Sequence, residues 1–198
     1  MKLFRTVYRD VSITPEDIFY YVYGILNSEE YKKKWKDDFI HDLPHLPLSK
    51  NFEEFKRIGK ALGDLHVNYE SAAPYAGANA VGGENSGFIK KMHWDKKDPR
   101  VLHITDALSI TGIPEKSNLW KVGGKSPIEW AINQYQLKAD KEKGITNDPN
   151  ALGTKYITDL ILRLITVSLE SQKLIDSLPE IDEIESVDYK QIWKDMTL

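Results

Sequence analysis

The sequence predicts an α+β fold: a mostly helical domain of about five helices with a small antiparallel sheet. Three observations carry that expectation. Thr14-Pro15 and Ser126-Pro127 each place a capping hydroxyl before a proline at a first helical position. A long apolar stripe runs from about Thr154 to Leu178 at helical spacing. Four short β-prone runs crowd between Phe88 and Val122, punctuated by Asp, Pro and Gly. With 198 residues and 41% hydrophobic side chains, the chain can bury one sizeable core, so a single domain over 1–198 is expected.

In chain order, Leu3 to Val7 reads as a short strand. After Thr14-Pro15-Glu16-Asp17, the residues Ile18, Val22, Ile25 and Leu26 recur at helical spacing, predicting a helix to about Asn27. Ser28 caps a second helix to about Phe39, with acids in its first turn and Lys32, Lys33, Lys34 and Lys36 later, as the helix dipole favours. Two prolines in Asp42 to Leu48 make that stretch an extended linker. Asn51 and Glu54 open a third helix with Phe55, Ile58, Leu62, Leu65 and Tyr69 along one face.

Ser71 to Gly87, rich in Gly, Ala, Asn and Pro and without periodicity, reads as a mobile loop. Strands are expected at Phe88 to Trp94, Val101 to Thr105, Leu108 to Thr111 and Leu119 to Val122. Ser126-Pro127-Ile128-Glu129 is a capping box, and Ile128, Ala131, Ile132 and Tyr135 form the buried face behind it. A polar loop from about Lys138 to Gly153 leads to the longest helix, whose stripe is Ile157, Leu160, Ile161, Leu164, Val167, Leu174 and Ile175; Pro179 ends it. The acidic Glu180 to Asp188 segment reads as a surface tail.

Composition narrows the function classes. Cysteine is absent, which removes disulfides, thiolate catalysis and Cys-ligated zinc. No apolar run approaches the ~18 to 20 residues that span a bilayer, and an acid interrupts the N-terminus where a signal peptide would be apolar, so a cytoplasmic protein without a membrane partner is expected. The 27 Lys and Arg nearly balance the 30 Asp and Glu, so any anionic partner must be held by a local patch.

Each near-motif for catalysis fails on spacing or on secondary structure. Gly123-Gly124-Lys125-Ser126 resembles the end of a phosphate-binding loop, but Leu119 stands where the first glycine is needed and Pro127 lacks an amide. It remains either a helix-capping turn or a holder of one DNA phosphate. Asp42 with Glu54-Phe55-Lys56 imitates a metal-dependent nuclease, yet on a helix positions two apart diverge by about 200°. Asp140 to Gly144 lacks the bidentate Glu of a calcium loop. His41, His45, His66, His93 and His103 have no metal-ligand spacing, and His66, beside an apolar stripe, reads as a hydrogen-bonded core or interface histidine. Asn147-Asp148-Pro149-Asn150 is a turn and not a methyltransferase motif. The chain is therefore read as a non-enzyme that needs no cofactor and no metal.

Two basic clusters remain. Lys90-Lys91-Met92-His93-Trp94-Asp95-Lys96-Lys97-Asp98-Pro99-Arg100 interleaves cations with an aromatic on a strand and its turn, an arrangement able to lie against a phosphate backbone. Lys32 to Lys36, flanked by acids, reads as a solvated helix face. The candidate DNA-binding residues are Lys90, Lys91, His93, Lys96, Lys97, Arg100, Gly124, Lys125 and Ser126.

Six ordered blocks carry a resemblance. Asp17 to Tyr31, Asp42 to Leu48, Leu62 to Glu70, Gly124 to Trp130, Gly144 to Asn150 and Tyr156 to Leu160 are similar to the C-terminal specificity domain of Type ISP, single-polypeptide restriction-modification enzymes. Gly123 departs from the Asn expected before Gly-Lys-Ser in that family. The resemblance implies sequence-specific recognition of double-stranded DNA, positioning the duplex for an adjacent adenine methyltransferase. It also implies methyltransferase and helicase domains as partners, in the same or a sister polypeptide, with this chain an excised piece or a split gene product. Lysines and helix-end amides would fix the register on phosphates, while polar side chains on the sheet or the Ser71 to Gly87 loop read base edges. The alternative is a protein-interaction module that docks onto the methyltransferase or helicase with little DNA contact.

Overall fold

A computed structural model describes residues 1–35, 46–83, 87–140, 142, 144–184, 187 and 194. The chain folds as α+β, with six α-helices and a small antiparallel sheet among the described residues. It divides into two compact units, Met1–Val67 with Lys173–Leu198, and Asn68–Gln172.

The first unit is helical. Leu3 to Val7, expected as a strand, lies in helix α1 (Lys2–Val7). Its apolar residues Leu3, Phe4 and Val7 suit one helical face, and the Phe4 ring meets Tyr21 edge-on with centroids 5.7 Å apart. Helix α2 (Pro15–Asn27) begins at the capping box of Thr14 and Asp17. Its deepest side chains are Tyr21 and Ile25. Helix α3 (Glu29–Lys34) starts on the Ser28 cap and ends at Trp35; the remainder of the helix expected to Phe39 lies outside the described residues, as does the linker up to His45.

Helix α4 (Phe52–Val67) buries Phe55, Ile58 and Leu62. The expected stripe fades at its end: Leu65 is half-buried, and Tyr69 stands on a separate 3-10 turn. Helices α2 and α4 approach closely at two glycines. A Cβ on Gly59 would fall 1.9 Å from the Tyr20 carbonyl oxygen, and one on Gly24 would fall 2.4 Å from that of Phe55. The residues after Pro179 are not a loose tail. Lys50 donates its amide to the Asp182 carbonyl, Ile184 donates to Leu48, Ile181 donates to the Glu30 carboxylate, and Ile181 is buried. Buried Ile181 anchors this stretch, and its acids Asp182 and Glu183 pair with Lys50 and Lys34; residues 185, 186 and 188 lie outside the described residues.

The second unit holds a four-stranded antiparallel sheet in the order β1-β4-β3-β2, with β1 (Asn79–Val81), β2 (His93–Trp94), β3 (Leu102–His103) and β4 (Ser109–Thr111). Strand β1 falls in the stretch expected to be loop. It is an exposed edge strand with no burial pattern to betray it, and its order comes from pairing Ala80 with Ile110. Conversely, Leu119 to Val122 is not a strand: Leu119 and Val122 are exposed, and the run follows a 3-10 turn at Glu115–Asn118. The polar stretch after Leu137 contains a hairpin of β5 (Lys138–Asp140) and β6 (Ile145–Asn147), followed by a 3-10 turn at Pro149–Leu152.

The inner face of the sheet, with Leu102 and Ile110 fully buried, packs on helix α5 (Pro127–Gln134) and on helix α6 (Thr154–Asp176) through Ile128, Ile157, Ile161 and Ile165. The helical first unit has its own core around Tyr21, Tyr31, Phe52 and Phe55, so α1 to α4 do not share the core of the sheet. Helix α6 is buried along much of its length, as its stripe requires.

Candidate nucleic-acid interface

Strands β2 and β3 are joined by a short basic turn, and the chemistry of that turn explains its shape. The Asp95 carboxylate accepts backbone hydrogen bonds from Lys97 at 2.8 Å and Asp98 at 2.9 Å. The Asp98 carboxylate accepts from the Arg100 amide, and the Asp95 amide donates to the Val101 carbonyl. Each acid thus closes a local turn through its own side chain, as Asx residues do. The lysines between them are left to point at solvent. Lys90, Lys91, His93, Lys96, Lys97 and Arg100 are all exposed. Arg100 forks onto Asp98, whereas Lys90, Lys91, Lys96 and Lys97 make no ion pair among the described residues. From Lys90 to Arg100 five cations face two carboxylates, so the local charge is positive in a chain that is acidic overall.

Gly124, Lys125 and Ser126 sit on a different turn. Val122 and Lys125 exchange backbone hydrogen bonds across Gly123 and Gly124, whose φ values of 57° and 82° belong to the left-handed region that a tight two-residue turn demands. Gly124 is exposed, and Lys125 lays its ammonium over the Trp130 ring, 4.9 Å from the centroid. Ser126 is fully buried, and its polar atoms are engaged inside the protein. The Ser126 amide donates to the Glu129 carboxylate, and the hydroxyl donates to Asn118 Oδ1 while accepting from the Glu129 amide. The α5 N-terminus is therefore closed by its own capping box, with a carboxylate where an anion would have to sit.

The outer face of the sheet carries residues that sequence reasoning did not single out as a group. Pairings His93 with His103, His103 with Ser109, and Val81 with Ser109 set one row of side chains across all four strands. The next row contains the buried Leu102 and Ile110, so the pleat turns the histidine row outward. His103 Nε2 lies 3.1 Å from Asp95 Oδ2, and its Nδ1 lies 2.8 Å from Ser109 Oγ. The hydrogen bond from His103, with the two turn amides, holds the Asp95 carboxyl down to about 2. The signal available in the sequence was the alternation of polar His103 and Ser109 with apolar Leu102 and Ile110, but two- and three-residue strands are too short for that period to stand out.

The other near-motifs resolve into structural roles. Glu54 pairs with Arg57, while Lys56 pairs with Glu53 and Asp17, so the acid and the lysine face different neighbours; Asp42 lies outside the described residues. The Asp140 to Gly144 stretch lies partly outside them too, in the β5–β6 hairpin. His66 shares a 2.7 Å hydrogen bond with the Tyr23 hydroxyl, and burial pushes its imidazole down to about 4. Asp148 accepts from the Asn150 amide, closing a turn. Among the described residues no group of three or more His, Asp or Glu could hold a metal ion, and no helix is long and apolar enough to cross a membrane.

Three solved structures resemble this chain. A nuclease-deletion mutant of the Type ISP restriction-modification enzyme LlaGI, in complex with a DNA substrate mimic, is 40% identical over 87% of this chain with a TM-score of 0.79. The ATP-dependent Type ISP restriction-modification enzyme LlaBIII, bound to DNA, is 38% identical over 91% with a TM-score of 0.81. A DrdV–DNA complex is 26% identical over 90% with a TM-score of 0.79. The matched part is 14%, 12% and 19% of those chains, respectively. No curated protein sequence matches. The model of the Type ISP C-terminal specificity domain matches residues 1–162. With more than four-fifths of its residues inside that match, the chain belongs to the Type ISP C-terminal specificity domain family.

Proposed function

We propose that this chain binds double-stranded DNA as the target-recognition module of a restriction-modification enzyme, and that it positions the duplex for an adjacent adenine methyltransferase carried on the same or a sister polypeptide. One observation supports this most: the β2–β3 hairpin presents Lys96 and Lys97 on a turn stiffened by Asp95, with Lys90 and Lys91 exposed just ahead of β2, beside a polar sheet face. The relatives, at 38% and 40% identity, are held in complexes with DNA. Cations on the turn neutralise phosphates and fix register, and the sheet face carries donors and acceptors suited to base edges. His93, Arg100 and Gly124 complete the exposed set, and the half-buried Lys125 follows Gly124 in sequence. Ser126 serves the set indirectly, as the cap that holds the Gly124-Lys125 turn.

In this reading the chain performs no chemistry itself. Flipping and methylating an adenine fall to the neighbouring domains, for which relatives five to eight times longer leave ample room. The test is a titration of the purified chain with duplex DNA over a range of salt. Affinity is expected to fall with a log–log slope of about −0.9 per phosphate contact. Lys91→Ala, Lys97→Ala and Lys125→Ala should each weaken binding to all sequences alike and reduce that slope by about one unit. Absence of binding at about 50 mM salt would instead favour a module that docks onto the methyltransferase or helicase.

A further inference from the structure

The Asp95–His103–Ser109 chain has a hydrogen-bond polarity that can be worked out atom by atom. Asp95 Oδ1 accepts from two backbone amides, and Oδ2 faces His103 Nε2 at 3.1 Å. An ionised carboxylate only accepts, so Nε2 must carry the proton. In a neutral imidazole the other nitrogen is then an acceptor, and the hydroxyl 2.8 Å from it, that of Ser109, must donate. The Ser109 hydrogen is consumed by this bond. What Ser109 offers outward is an oxygen with lone pairs and no proton.

The location gives that oxygen something to read. Ser109 lies on β4 in the outward row with His103 and His93, next to the strand that leaves the lysine turn. Strands about 4.8 Å apart make β2, β3 and β4 about 10 Å across, within the roughly 12 Å width of the DNA major groove. There the only donors on base edges are the exocyclic amines, N4 of cytosine and N6 of adenine; thymine O4 and guanine O6 and N7 are acceptors.

We infer that Ser109, held as an obligate acceptor by the Asp95–His103 relay, is a specificity-determining residue that selects a base carrying an exocyclic amine and rejects the carbonyl bases at that position. This rests on the DNA-recognition reading above. Ser109 touches the base, and Asp95 and His103 are positioning residues that set its polarity. The low pKa of Asp95 agrees, since an ionised Asp95 can only accept from His103 Nε2–H.

The relay makes an uncommon demand of one substitution. In Asp95→Asn the side-chain oxygen is still required by the Lys97 and Asp98 amides, so the new NH2 group occupies the place of Oδ2. It donates to Nε2, the imidazole proton moves to Nδ1, and Nδ1–H donates to Ser109. The Ser109 hydroxyl hydrogen is then free to point outward, so the residue can donate as well as accept.

The experiment is selection of bound duplexes from a randomised library with the full chain, followed by measured affinities on the selected sequence. The wild type is expected to select cytosine or adenine at one position. Replacing that base by its amine-free analogue, 2-pyrimidinone for cytosine or purine for adenine, should cost about tenfold, and the analogue that bites tells which amine is read. Ser109→Ala should lose the preference at that position alone and become indifferent to the analogue, while Ser109→Thr should restore both. Asp95→Asn should admit thymine or guanine at that position beside the original base, with affinity for the rest of the site unchanged, a relaxation that a merely structural role for Asp95 would not produce. Selection of the same sequence, equally strongly, by wild type and Ser109→Ala overturns the inference while leaving the DNA-binding reading intact. No enrichment by the wild type, with no salt-dependent binding, overturns both. If Asp95→Asn unfolds, the Ala and Thr variants at Ser109 still decide the matter.

Discussion

The side-chain amide of Asn150 pairs with both backbone polar groups of Ile89, accepting from its N–H at 2.7 Å and donating to its carbonyl at 3.1 Å across 61 residues of sequence. Ile89 is fully buried in the core under the sheet, so neither group has water as an alternative. Asn150→Ala should destabilise the chain by about 1 to 3 kcal/mol, and Asn150→Asp by a similar amount because its carboxylate cannot donate to the carbonyl. Urea unfolding checks this. An unchanged midpoint for both variants would mean the clamp contributes nothing.

The α2–α4 crossing predicts a second sensitivity. Gly59 has backbone, not a pliable side chain, where a methyl group would go, so Gly59→Ala must separate the two helices. The expected cost is about 3 kcal/mol, at the upper end for overpacking. Gly144→Ala is a useful contrast: nothing lies within 4 Å of its added carbon, and its cost should come only from a φ of 64°. Thermal melts of the two variants should differ clearly, with Gly59→Ala the lower.

His66 predicts a pH dependence with a definite sign. Its folded-state value is depressed to about 4, below the ordinary value of 6.5, so the unfolded chain binds the proton more readily. Stability from this site is complete above about pH 6.5 and is lost as pH falls toward 4. Because the ring is only partly buried, the loss is on the order of 1 to 3 kcal/mol after allowance for solvent screening. His66→Gln should flatten the stability profile between pH 6.5 and 5, a window above that of the lowered carboxylates Asp17 and Asp95. A profile of the same steepness in the variant would remove His66 as its cause.

The lysines of α3 should matter little for DNA. Lys32 pairs with Glu29, and Lys34 pairs with Glu183 and lies over the Trp35 ring. Their charges are already answered within the protein. Lys32→Ala and Lys34→Ala should leave duplex affinity within about twofold, since neither removes a phosphate contact. A large loss of binding in these variants, with none in Lys91→Ala and Lys97→Ala, would place the DNA on the other unit.

Local chemistry was legible in the sequence wherever one residue suffices to set a conformation or one face repeats often enough to be recognised. Thr14 and Ser126 announced their helices because a cap acts within three residues, and α6 was readable because its stripe repeats over six turns. The exposed lysines of the β2–β3 turn were legible for the same reason: Asp95 and Asp98 close that turn locally. What only the tertiary structure decided were pairings made at long range. Strand β1 exists because Ile110 offers it a partner, and the stretch after Pro179 is held by Leu48, Lys50 and Glu30. Asp95, His103 and Ser109 meet only because the register of β2, β3 and β4 sets them side by side. A hydrogen bond across strands depends on that register, and two- or three-residue strands carry too few side chains for the sequence to specify it alone.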